Sequence, residues 1–415
     1  MTAVNTPGRP GPKALKALDD ALQELLAHAN PLDEIDLVST FDADGRVLAH
    51  DVVSALQVPP QDNSSMDGYA LRCADLQAAQ PLPVSQRIPA GSSGAALAPM
   101  SVARIFTGAP IPEGADAVVM QEACEVLDDG RVQVNEAVQP GQWIRRSGED
   151  VRRDAVILSR GHRLDPAAIG LAAGIGMADL PVVRQPRVAL LSTGDELVMP
   201  GTVEPAQMPA GAIYNSNRFF LKALLQRLGC VVSDLGIVPD EREATIQALR
   251  QASQAHDLIL TSGGVSVGEE DHIKPAVQEL GHLDLWQIGM KPGKPFAYGR
   301  VGSAHFMGLP GNPVSSYATF LLLVRPFLLK LQGAAQWGWP AQQRRAAFDW
   351  PRADKRREFL RVRVESNGEL ALFPNQSSGV LSSVVWGDGL VDNPAGQTIA
   401  RGDMVQFLPF SAVLS

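Results

Sequence analysis

The stretch Asp257–Asp271, with the sequence DLILTSGGVSVGEED, decides how the rest of the chain is interpreted. Leu258–Leu260 is a short apolar run, which is typical of a buried strand. Gly263 and Gly264 follow it, and because glycine has no Cβ atom, backbone N–H groups can approach a ligand closely there. A strand that runs into a glycine-rich turn is where α/β proteins bind ligands, at the edge of a parallel sheet.

The chemistry of this turn fits an oxyanion, but a structural interpretation is equally open. Hydroxyls and backbone amides of Ser262, Gly263, Gly264 and Ser266 suit a phosphate. The carboxylate of Asp271 suits a divalent metal that bridges to the phosphate. The alternative is a tight turn whose glycines only satisfy the backbone, because a lone glycine-rich turn is a weak signal.

Strands and helices alternate on both sides of this stretch. The candidate strands are 188–191, 231–238, 258–260 and 283–288, and the candidate helices are 215–228, 241–256, 272–280 and 314–331. Alternating elements of these lengths predict a parallel, doubly wound sheet.

The flanking regions have a different texture and predict a multidomain α/β plus β protein. Short apolar runs separated by Gly and Pro predict two small β domains, 61–147 and 333–415, around an α/β domain at 185–332. An amphipathic helix from Lys13 to Ala29 would pack in its own domain or against a second copy. We assign it to an extended, discontinuous helical domain, 13–60 plus 148–184, that we expect to mediate dimerisation.

Composition limits the classes of partner. The net charge of −9 argues against nonspecific binding to nucleic acid or to an anionic membrane. The three cysteines lack metal-ligand spacing, so we expect reduced thiols and a cytoplasmic protein. The apolar run Phe320–Val324 meets Arg325 and Pro326 too soon to span a bilayer.

Five loops fall where strands of the α/β domain should end, so we expect them along one edge of the sheet. They carry three carboxylates, Glu196, Asp240 and Asp271, and two lysines, Lys291 and Lys294. Carboxylates bind a hard metal and lysines neutralise phosphate charge. The combination predicts an anionic, phosphate-bearing ligand with Mg²⁺. The chain has no Walker A lysine motif, which disfavours ordinary hydrolysis of nucleoside triphosphates.

The loop Asp62–Ala70, with the sequence DNSSMDGYA, combines polar residues with a Met and a Tyr of the kind usually buried. Asp62 and Asn63 are compatible with a structural Asx-turn. Asp67 is also a candidate functional carboxylate, and the residues alone leave both interpretations open.

Seven motifs together resemble the molybdopterin molybdenumtransferase family, which includes the MoeA proteins and the C-terminal domain of gephyrin. They occur in the family's order and cover nearly the whole chain after its first residues. The motifs are DNSSMDGYA (62–70), TGAPIPEGADAVV (107–119), IRRSGED (144–150), STGDEL (192–197), SGGVSVGEED (262–271), KPGKP (291–295) and GLPGNP (308–313).

The resemblance implies an elongated, four-domain homodimer whose α/β domain shares the fold of molybdopterin adenylyltransferases. It implies insertion of molybdate into adenylylated molybdopterin with release of AMP. The implied residues on the β-domain side of the site are Asp67, Thr107, Arg145 and Asp150, and those on the α/β side are Glu196, Asp240, Asp271, Lys291, Lys294, Pro310 and Pro313. We expect the five acidic residues among them to be catalytic, with Glu196, Asp240 and Asp271 as the metal ligands and the other residues binding the substrate. Gln287 stands where the family pattern has a lysine.

Two other functions remain open. A molybdopterin adenylyltransferase would have the same α/β fold, but would not need the motifs at 62–70 and 144–150 in a separate β domain. A gephyrin-like scaffold would need further assembly domains and a long linker, which we do not expect in these 415 residues. The expected protein partners are a molybdopterin adenylyltransferase and molybdoenzymes that accept the cofactor.

Overall fold

A computed structural model describes residues 15–78, 80–264 and 272–414. The α/β domain contains a six-stranded sheet. Its strands lie in the order Val231–Val238, Arg187–Thr193, Leu258–Ser262, Ala304–Leu309, Pro295–Val301 and Gly281–Gln287. The first four strands in this order are parallel, and the last two pair antiparallel. The predicted doubly wound α/β fold is confirmed, and an antiparallel edge is added to its parallel strands.

The antiparallel edge differs from the sequence prediction for a local reason. Pro295–Val301 and Ala304–Leu309 form a hairpin that was not predicted, because turn-forming Pro and Gly motifs bracket both strands. The hairpin turns at Gly302, whose φ of 57° lies in the left-handed region. Only Pro295–Val301 runs against the parallel strands. Gly281–Gln287 pairs antiparallel with it and therefore runs in the same direction as the four parallel strands, although it has no parallel neighbour.

Helices cover both faces of the sheet, because alternate residues of each strand point to opposite sides. Leu190 and Leu260 belong to one hydrophobic cluster, and Ala189 and Ile259 belong to another. The first cluster includes helices Ser216–Arg227 and Pro313–Leu331, and the second includes helices Arg242–Ala255 and Ile273–Leu280.

Helix Pro313–Leu331 forms the centre of the first cluster and continues through Arg325 and Pro326, where the apolar run was expected to end. Its middle part, Phe320–Val324, is a π-helix. The Arg325 guanidinium donates to the backbone oxygens of Val413 and Trp337, which allows the charge to be buried. The helix is long and apolar enough to cross a membrane, but 89% of its most apolar stretch is buried inside the protein.

The N-terminal helix, Leu18–Ala27, packs on this long helix of the α/β domain. Ala21 and Leu25 are fully buried in the same cluster as Phe327. Lys330 Nζ also donates to Leu26 O at 2.8 Å. The helix that we assigned to a separate domain or to contact with a second copy therefore packs against the α/β domain of its own chain.

The stretches on either side of the first β domain share one core, which contains Leu48 and Val52 together with Leu164 and Ala172. Strands contribute as much as helix to this region, which we had expected to be mainly helical. The 3-10 turn Thr40–Asp42 and helix Pro166–Gly174 accompany two antiparallel pairs, Ile35–Ser39 with Asp179–Val183 and Val52–Val53 with Val156–Leu158.

The first β domain contains a four-stranded sheet and two ribbons. The sheet order is Val84–Ile88, Val102–Ile105, Gly68–Leu71 and Ala117–Met120, and 3-10 turns lie at Cys73–Ala78 and Gln121–Ala123. The ribbons pair Cys124–Val126 with Val132–Val134, and Asn63–Ser64 with Ile144–Arg145. Its hydrophobic clusters consist of residues between Tyr69 and Ile144, so the described part of this domain has a core of its own.

The C-terminal domain is built on a second six-stranded sheet. Its order is Met290–Lys291, Arg357–Val364, Gly389–Asn393, Met404–Pro409 and Gln342–Arg345, with Leu370–Leu372 paired to Arg357–Val364 and helices Ser382–Trp386 and Ser411–Leu414 beside it. Its first strand comes from the sequence KPGKP and the residue before it, so the end of one α/β loop belongs to this sheet.

Candidate functional site

Three of the sequence motifs meet in the first β domain. Ser64 N donates to Ala109 O at 2.9 Å, and Gly108 N donates to Ser64 O at 2.8 Å, which joins the first motif to the second. Ser65 N donates to Trp143 O at 2.9 Å, next to the third motif. The loop Asp62–Ala70 is therefore the centre of a cluster whose members are far apart in the sequence.

The Asp67 carboxylate is held by Thr107 of the second motif. Its Oδ1 accepts two hydrogen bonds from Thr107, one from the backbone N and one from Oγ1, each at 2.8 Å. The backbone N–H of Thr107 and then its hydroxyl lower the pKa of Asp67, so the exposed carboxylate stays charged. The structure thus brings the predicted residues Asp67 and Thr107 together, and Thr107 binds only the Oδ1 atom of the Asp67 carboxylate.

Asp62 has structural partners, but they lie 84 and 85 residues away in the sequence and not two residues on, as an Asx-turn would require. Ser147 N donates to its Oδ1 at 2.9 Å and Arg146 Nη1 lies 2.6 Å from its Oδ2. The Ser147 N–H, followed by Arg146, lowers the pKa of Asp62. The neighbouring Arg145 is exposed on the ribbon opposite Asn63.

Asp150 lies farther along the same loop, at the junction with the preceding segment. Its side chain is exposed and its backbone N donates to Val58 O at 3.0 Å. The three predicted residues Asp67, Thr107 and Arg145 therefore lie on adjoining loops, and Asp150 ends the third motif beyond them.

A second cluster forms a cleft of about 550 Å³ at the carboxyl edge of the parallel strands. The strand ends Thr193 and Ser262 border it, as the sheet-edge argument predicted. The remaining lining residues come from the neighbouring loops, from the start of helix Ser216–Arg227 and from the C-terminal domain: Glu196, Leu197, Ile213, Tyr214, Asn215, Ser216, Asn217, Gly263, Gly311, Asn312, Pro313 and Gly379.

Gly263 and Gly264 are required by the close approach of two chain segments. Their φ angles are 93° and 67°, which L side chains rarely adopt. A Cβ on Gly263 would lie 3.0 Å from Thr193 O, and one on Gly264 would lie 2.7 Å from Cγ1 of Ile273. The turn is therefore both a tight structural turn and a wall of the cleft, so the two interpretations of the sequence are compatible.

Asn217 connects two walls of the cleft. Its Nδ2 donates to Ser262 Oγ at 2.8 Å and to Gly311 O at 2.7 Å. It belongs to the first turn of helix Ser216–Arg227, which begins after Asn215; the side chain of Asn215 accepts from Arg218 N at 3.3 Å. Only the helix at 215–228 was predicted from the sequence, because an amide in the first turn of a helix carries no motif of its own.

Several buried polar atoms of the α/β domain have no hydrogen-bond partner in the protein, and Asn215 is the one residue among them that lines the cleft. They are Ser192 Oγ, Asn215 Nδ2, Thr261 Oγ1, Ser316 Oγ and Thr319 Oγ1. Buried donors and acceptors without partners are uncommon in folded proteins. Ser192 and Thr261 directly precede the strand-end residues Thr193 and Ser262 of the cleft, whereas Ser316 and Thr319 lie farther along the long helix.

Glu196 is the predicted metal ligand that lines the cleft. Its carboxylate folds back over the turn, and a Cβ on Gly194 would lie 2.5 Å from Glu196 Oε2. Within the described residues no group of three His, Cys, Asp or Glu side chains could hold a metal ion. Mg²⁺ commonly uses one or two carboxylates together with substrate phosphates and water, so the donor set of this cleft fits Mg²⁺ only with a phosphate-bearing substrate present.

Of the other two predicted metal ligands, Asp240 and Asp271, only Asp240 belongs to the described residues. Asp240 follows strand Val231–Val238 and is half-buried just before helix Arg242–Ala255. Asp271 and Ser266 lie outside the described residues. The three-carboxylate metal site therefore stays a prediction.

The two predicted lysines have different surroundings. Lys291 Nζ lies 3.0 Å from Glu358 Oε1 and 3.4 Å from Asp354 Oδ2, both in the C-terminal domain. Lys294 is exposed, and its backbone oxygen accepts from Ile288 N at 2.7 Å. Neither lysine is among the described residues that line the cleft.

Of the two predicted prolines, Pro313 lines the cleft as the first residue of the long helix, and Pro310 is buried at the end of its strand. Val314 N donates to Ser378 O at 2.9 Å, which brings the C-terminal domain to the cleft beside Gly379. The contribution of the C-terminal domain to this site was not predicted, because nothing in the local sequence of 376–379 indicates it.

Comparisons with known proteins agree with the motifs. The chain matches the MoeA N-terminal region (domain I and II) at residues 16–176, a domain described as a probable molybdopterin binding domain at 189–330, and the MoeA C-terminal region (domain IV) at 343–410. A molybdopterin molybdenumtransferase of Haemophilus influenzae is 44% identical over 324 residues, which are 78% of this chain and 79% of that protein. One from Synechococcus elongatus is 36% identical over 405 residues, 93% of this chain and 97% of that protein.

Solved structures give the same result over the whole length. The crystal structure of a molybdopterin biosynthesis MoeA protein from Pyrococcus horikoshii OT3 superposes with a TM-score of 0.82 at 28% identity, covering 96% of this chain and 100% of that chain. The three matching regions, the level of identity and the shared architecture agree. The chain therefore belongs to the molybdopterin molybdenumtransferase family, the MoeA proteins.

Proposed function

We propose that this protein inserts molybdate into the dithiolene of adenylylated molybdopterin and releases AMP. The observation that carries the proposal is the cleft at the carboxyl edge of the sheet, where Ser262, the Gly263 turn and Glu196 line one volume in a chain of this family. The relatives named molybdopterin molybdenumtransferase align over most of this chain, which supports the same reaction here.

The charges of the reaction explain the residue types in the cleft. Molybdate is a dianion that approaches an already anionic pterin phosphate, so the protein has to offset repulsion between like charges. The Ser262 hydroxyl can donate to an oxyanion without adding a negative charge, whereas the backbone N–H of Gly263 already donates to Leu309 O at 3.1 Å. Exposed Lys294 can supply positive charge near the same sheet edge.

Mg²⁺ belongs to this proposal as a cofactor. Glu196 would hold it, together with phosphate oxygens of the substrate and with Asp240 and Asp271 as the further predicted ligands. When bound, such an ion supplies polarisation of the phosphoanhydride that breaks as AMP leaves. The carboxylates act in this scheme by holding charge and geometry, not as nucleophiles.

A homodimer also belongs to the proposal. Strand Ile35–Ser39 exposes Ile35 and Leu37 on one side, 49% and 72% accessible, and Phe41 beyond it is 97% accessible. Several large apolar side chains exposed in one region are typical of a protein–protein interface. A second copy that covers this surface could bring Asp67 of one chain to the cleft of the other.

The protein partners follow from the substrate and the product. A molybdopterin adenylyltransferase has to supply the adenylylated pterin, and molybdoenzymes have to accept the finished cofactor. These transfers and the reduced cysteines favour a cytoplasmic location.

Release of AMP tests the proposed function. Purified protein is incubated with adenylylated molybdopterin and Mg²⁺, with and without molybdate, and AMP is quantified by chromatography. We expect molybdate to accelerate AMP release and the product to reconstitute a cofactor-free molybdoenzyme. Consumption of ATP with molybdopterin, and no molybdate dependence, would instead indicate an adenylyltransferase. If the protein shows neither AMP release nor ATP consumption, the gephyrin-like scaffold is the function that remains.

A further inference from the structure

The Asn217 side chain has an orientation that its partners determine. At ordinary resolution the nitrogen and oxygen of an amide are distinguished only by their hydrogen bonds. Gly311 O is a carbonyl and can only accept, so the atom 2.7 Å from it must be the NH₂ group of Asn217. The same nitrogen lies 2.8 Å from Ser262 Oγ, and therefore its second hydrogen is donated to the serine.

This orientation determines the direction of the Ser262 hydroxyl. A hydroxyl has one hydrogen to donate and two lone pairs to accept with. Because Ser262 Oγ accepts from Asn217, that contact does not use the hydroxyl hydrogen. Ser262 lines the cleft, as Asn217 does, and the two side chains belong to residues that are 4% and 8% exposed. The hydroxyl is thus held in a buried position with its hydrogen available to the cleft.

We infer that Asn217 is a positioning residue that makes Ser262 a hydrogen-bond donor to an anionic oxygen of the substrate. The inference rests on the proposed function for the identity of the substrate, adenylylated molybdopterin. Asn217 need not contact the substrate in this arrangement. Because Asn217 donates to Ser262 and accepts no hydrogen bond from it, the hydroxyl hydrogen of Ser262 stays available. Asn217 also links the Ser262 turn to the Gly311 loop, which fixes the distance between these two walls of the cleft.

The inference predicts that reversing the polarity of residue 217 harms binding more than removing Ser262. In Asn217→Asp a carboxylate of nearly the same shape accepts from Ser262, so the hydroxyl hydrogen points away from the substrate and lone pairs face its anionic oxygen. Hydrogen bonds to charged groups contribute enough that we expect Ser262→Ala to bind adenylylated molybdopterin about 10- to 100-fold more weakly. Asn217→Asp should lose at least as much.

Equilibrium binding of adenylylated molybdopterin, without molybdate, is measured for the parent, Asn217→Asp, Ser262→Ala and the double variant. The introduced carboxylate also repels the anionic substrate in the double variant, so we expect this variant to bind somewhat more weakly than Ser262→Ala. If Asn217 acts through Ser262, the loss in the double variant is nevertheless smaller than the sum of the two single losses. Additive losses would overturn the inference, because they would mean that the two residues act independently.

A pH series separates positioning from a merely structural role. Protonation turns the introduced carboxyl of Asn217→Asp into a donor again, so its affinity relative to the double variant should rise as the pH is lowered. Glu196 and Tyr214 are the other ionisable side chains among the described residues that line the cleft, and they are unchanged in both proteins. A ratio that does not change with pH would contradict the inference.

A third variant keeps the test valid if Asn217→Asp folds poorly, since its carboxylate faces Gly311 O. Asn217→Ala leaves the Ser262 hydroxyl free to rotate, and we expect a smaller loss of affinity than in Ser262→Ala. An unchanged affinity in both Asn217→Ala and Ser262→Ala, with thermal unfolding as in the parent, would overturn the inference. Since binding needs no turnover, this result is distinguishable from failure of the proposed function, which shows as a parent that binds the pterin but releases no AMP.

Discussion

Lys291 Nζ lies 3.0 Å from Glu358 Oε1, so a lysine of the α/β motif KPGKP is paired with a carboxylate of the C-terminal domain. Glu358 is 1% exposed and also accepts from Trp350 Nε1 at 2.7 Å. Asp354 adds a second carboxylate 3.4 Å from the same ammonium group. The positive charge of Lys291 is thus largely compensated before any substrate arrives, whereas Lys294 is exposed.

The first prediction distinguishes these two lysines by stability. Lys291→Gln removes the cation beside the buried Glu358 and leaves this carboxylate with neutral donors such as Trp350 Nε1, which we expect to cost about 1–3 kcal/mol in the free energy of unfolding. Lys294→Gln is the matched control, because an exposed change usually costs less than about 0.5 kcal/mol. Urea unfolding followed by fluorescence measures both.

Binding should show the opposite order. Lys294→Gln is expected to weaken binding of adenylylated molybdopterin, and this loss should shrink as the salt concentration rises, because salt screens the attraction in the parent. A salt-dependent loss of affinity in Lys291→Gln with unchanged stability would show that the ion pair with Glu358 opens to the substrate.

The second prediction concerns the pKa of Asp67. Thr107 lowers it through two donors, and Thr107→Val removes only the hydroxyl. The folded-state pKa lies below the ordinary value, so the carboxylate is charged at neutral pH and becomes protonated only as the pH falls through that lowered pKa. We expect Thr107→Val to move the pKa of Asp67 upwards, and the acid limb of the activity profile with it.

Carbon-13 NMR titration of aspartate-labelled protein measures this pKa. Thr107→Ser keeps the hydroxyl and serves as the control, with the pKa of Asp67 expected to stay low. Equal pKa values in the valine and serine variants would show that the Thr107 hydroxyl does not donate to Asp67 in solution.

The third prediction concerns the ion pair between Arg184 and Asp257, which directly precedes strand Leu258–Ser262 of the α/β sheet. Arg184 donates to both oxygens of Asp257, at 2.7 and 2.8 Å, and Arg187 N donates to Oδ2 at 2.8 Å. Burial raises the pKa of Asp257, but the hydrogen bonds of Arg184 and Arg187 outweigh this effect and the pKa is lowered. The pair therefore stabilises the fold above the unfolded-state pKa, and this contribution is lost as the pH falls through the lowered pKa.

Asp257→Asn should lower the free energy of unfolding by about 1–3 kcal/mol at neutral pH. The difference from the parent should narrow on acidification, because the parent loses the same interaction when Asp257 is protonated. Asp129→Asn is the matched control: Asp129 also pairs with an arginine, Arg131, but both side chains are about half exposed and such pairs contribute little. A constant difference across the pH range would rule out ionisation of Asp257 as the cause.

The fold could be predicted wherever local pattern decides structure. The buried strand predicted at 258–260 is Leu258–Ser262, and the helix predicted at 215–228 is Ser216–Arg227, because apolar period and end signals are local properties. The hairpin of Pro295–Val301 and Ala304–Leu309 could not be predicted in this way, since flanking turn motifs dominate its sequence. Tertiary pairing overrides such local signals.

The candidate site shows the same division. Glu196 and Ser262 were placed at one sheet edge by topology alone, and they do line one cleft. The partner of Lys291 is 67 residues away in the sequence, and Asn217 is 45 residues from Ser262. Contacts over such separations depend on the packing of whole domains, and no spacing rule reveals them.

The last prediction tests whether two chains build one site. Asp67 lies in a β domain with a core of its own, and Glu196 lines the cleft of the α/β domain. If the proposed homodimer brings Asp67 of one chain to the cleft of the other, each site needs one residue from each subunit. Asp67→Asn and Glu196→Gln remove one charge each and nearly keep the shape, so we expect both homodimers to fold and to lose AMP release.

Co-expression of the two variants with different affinity tags, followed by tandem purification, yields mixed dimers alone. A mixed dimer with shared sites has one site that carries both lesions and one site that carries none, because two-fold symmetry exchanges the contributing chains. We therefore expect about half of the parent's AMP release per dimer. When both residues of a site come from the same chain, every site keeps one lesion and no activity returns. Mixed dimers that stay inactive, with their composition verified by mass spectrometry, would exclude a site shared between subunits.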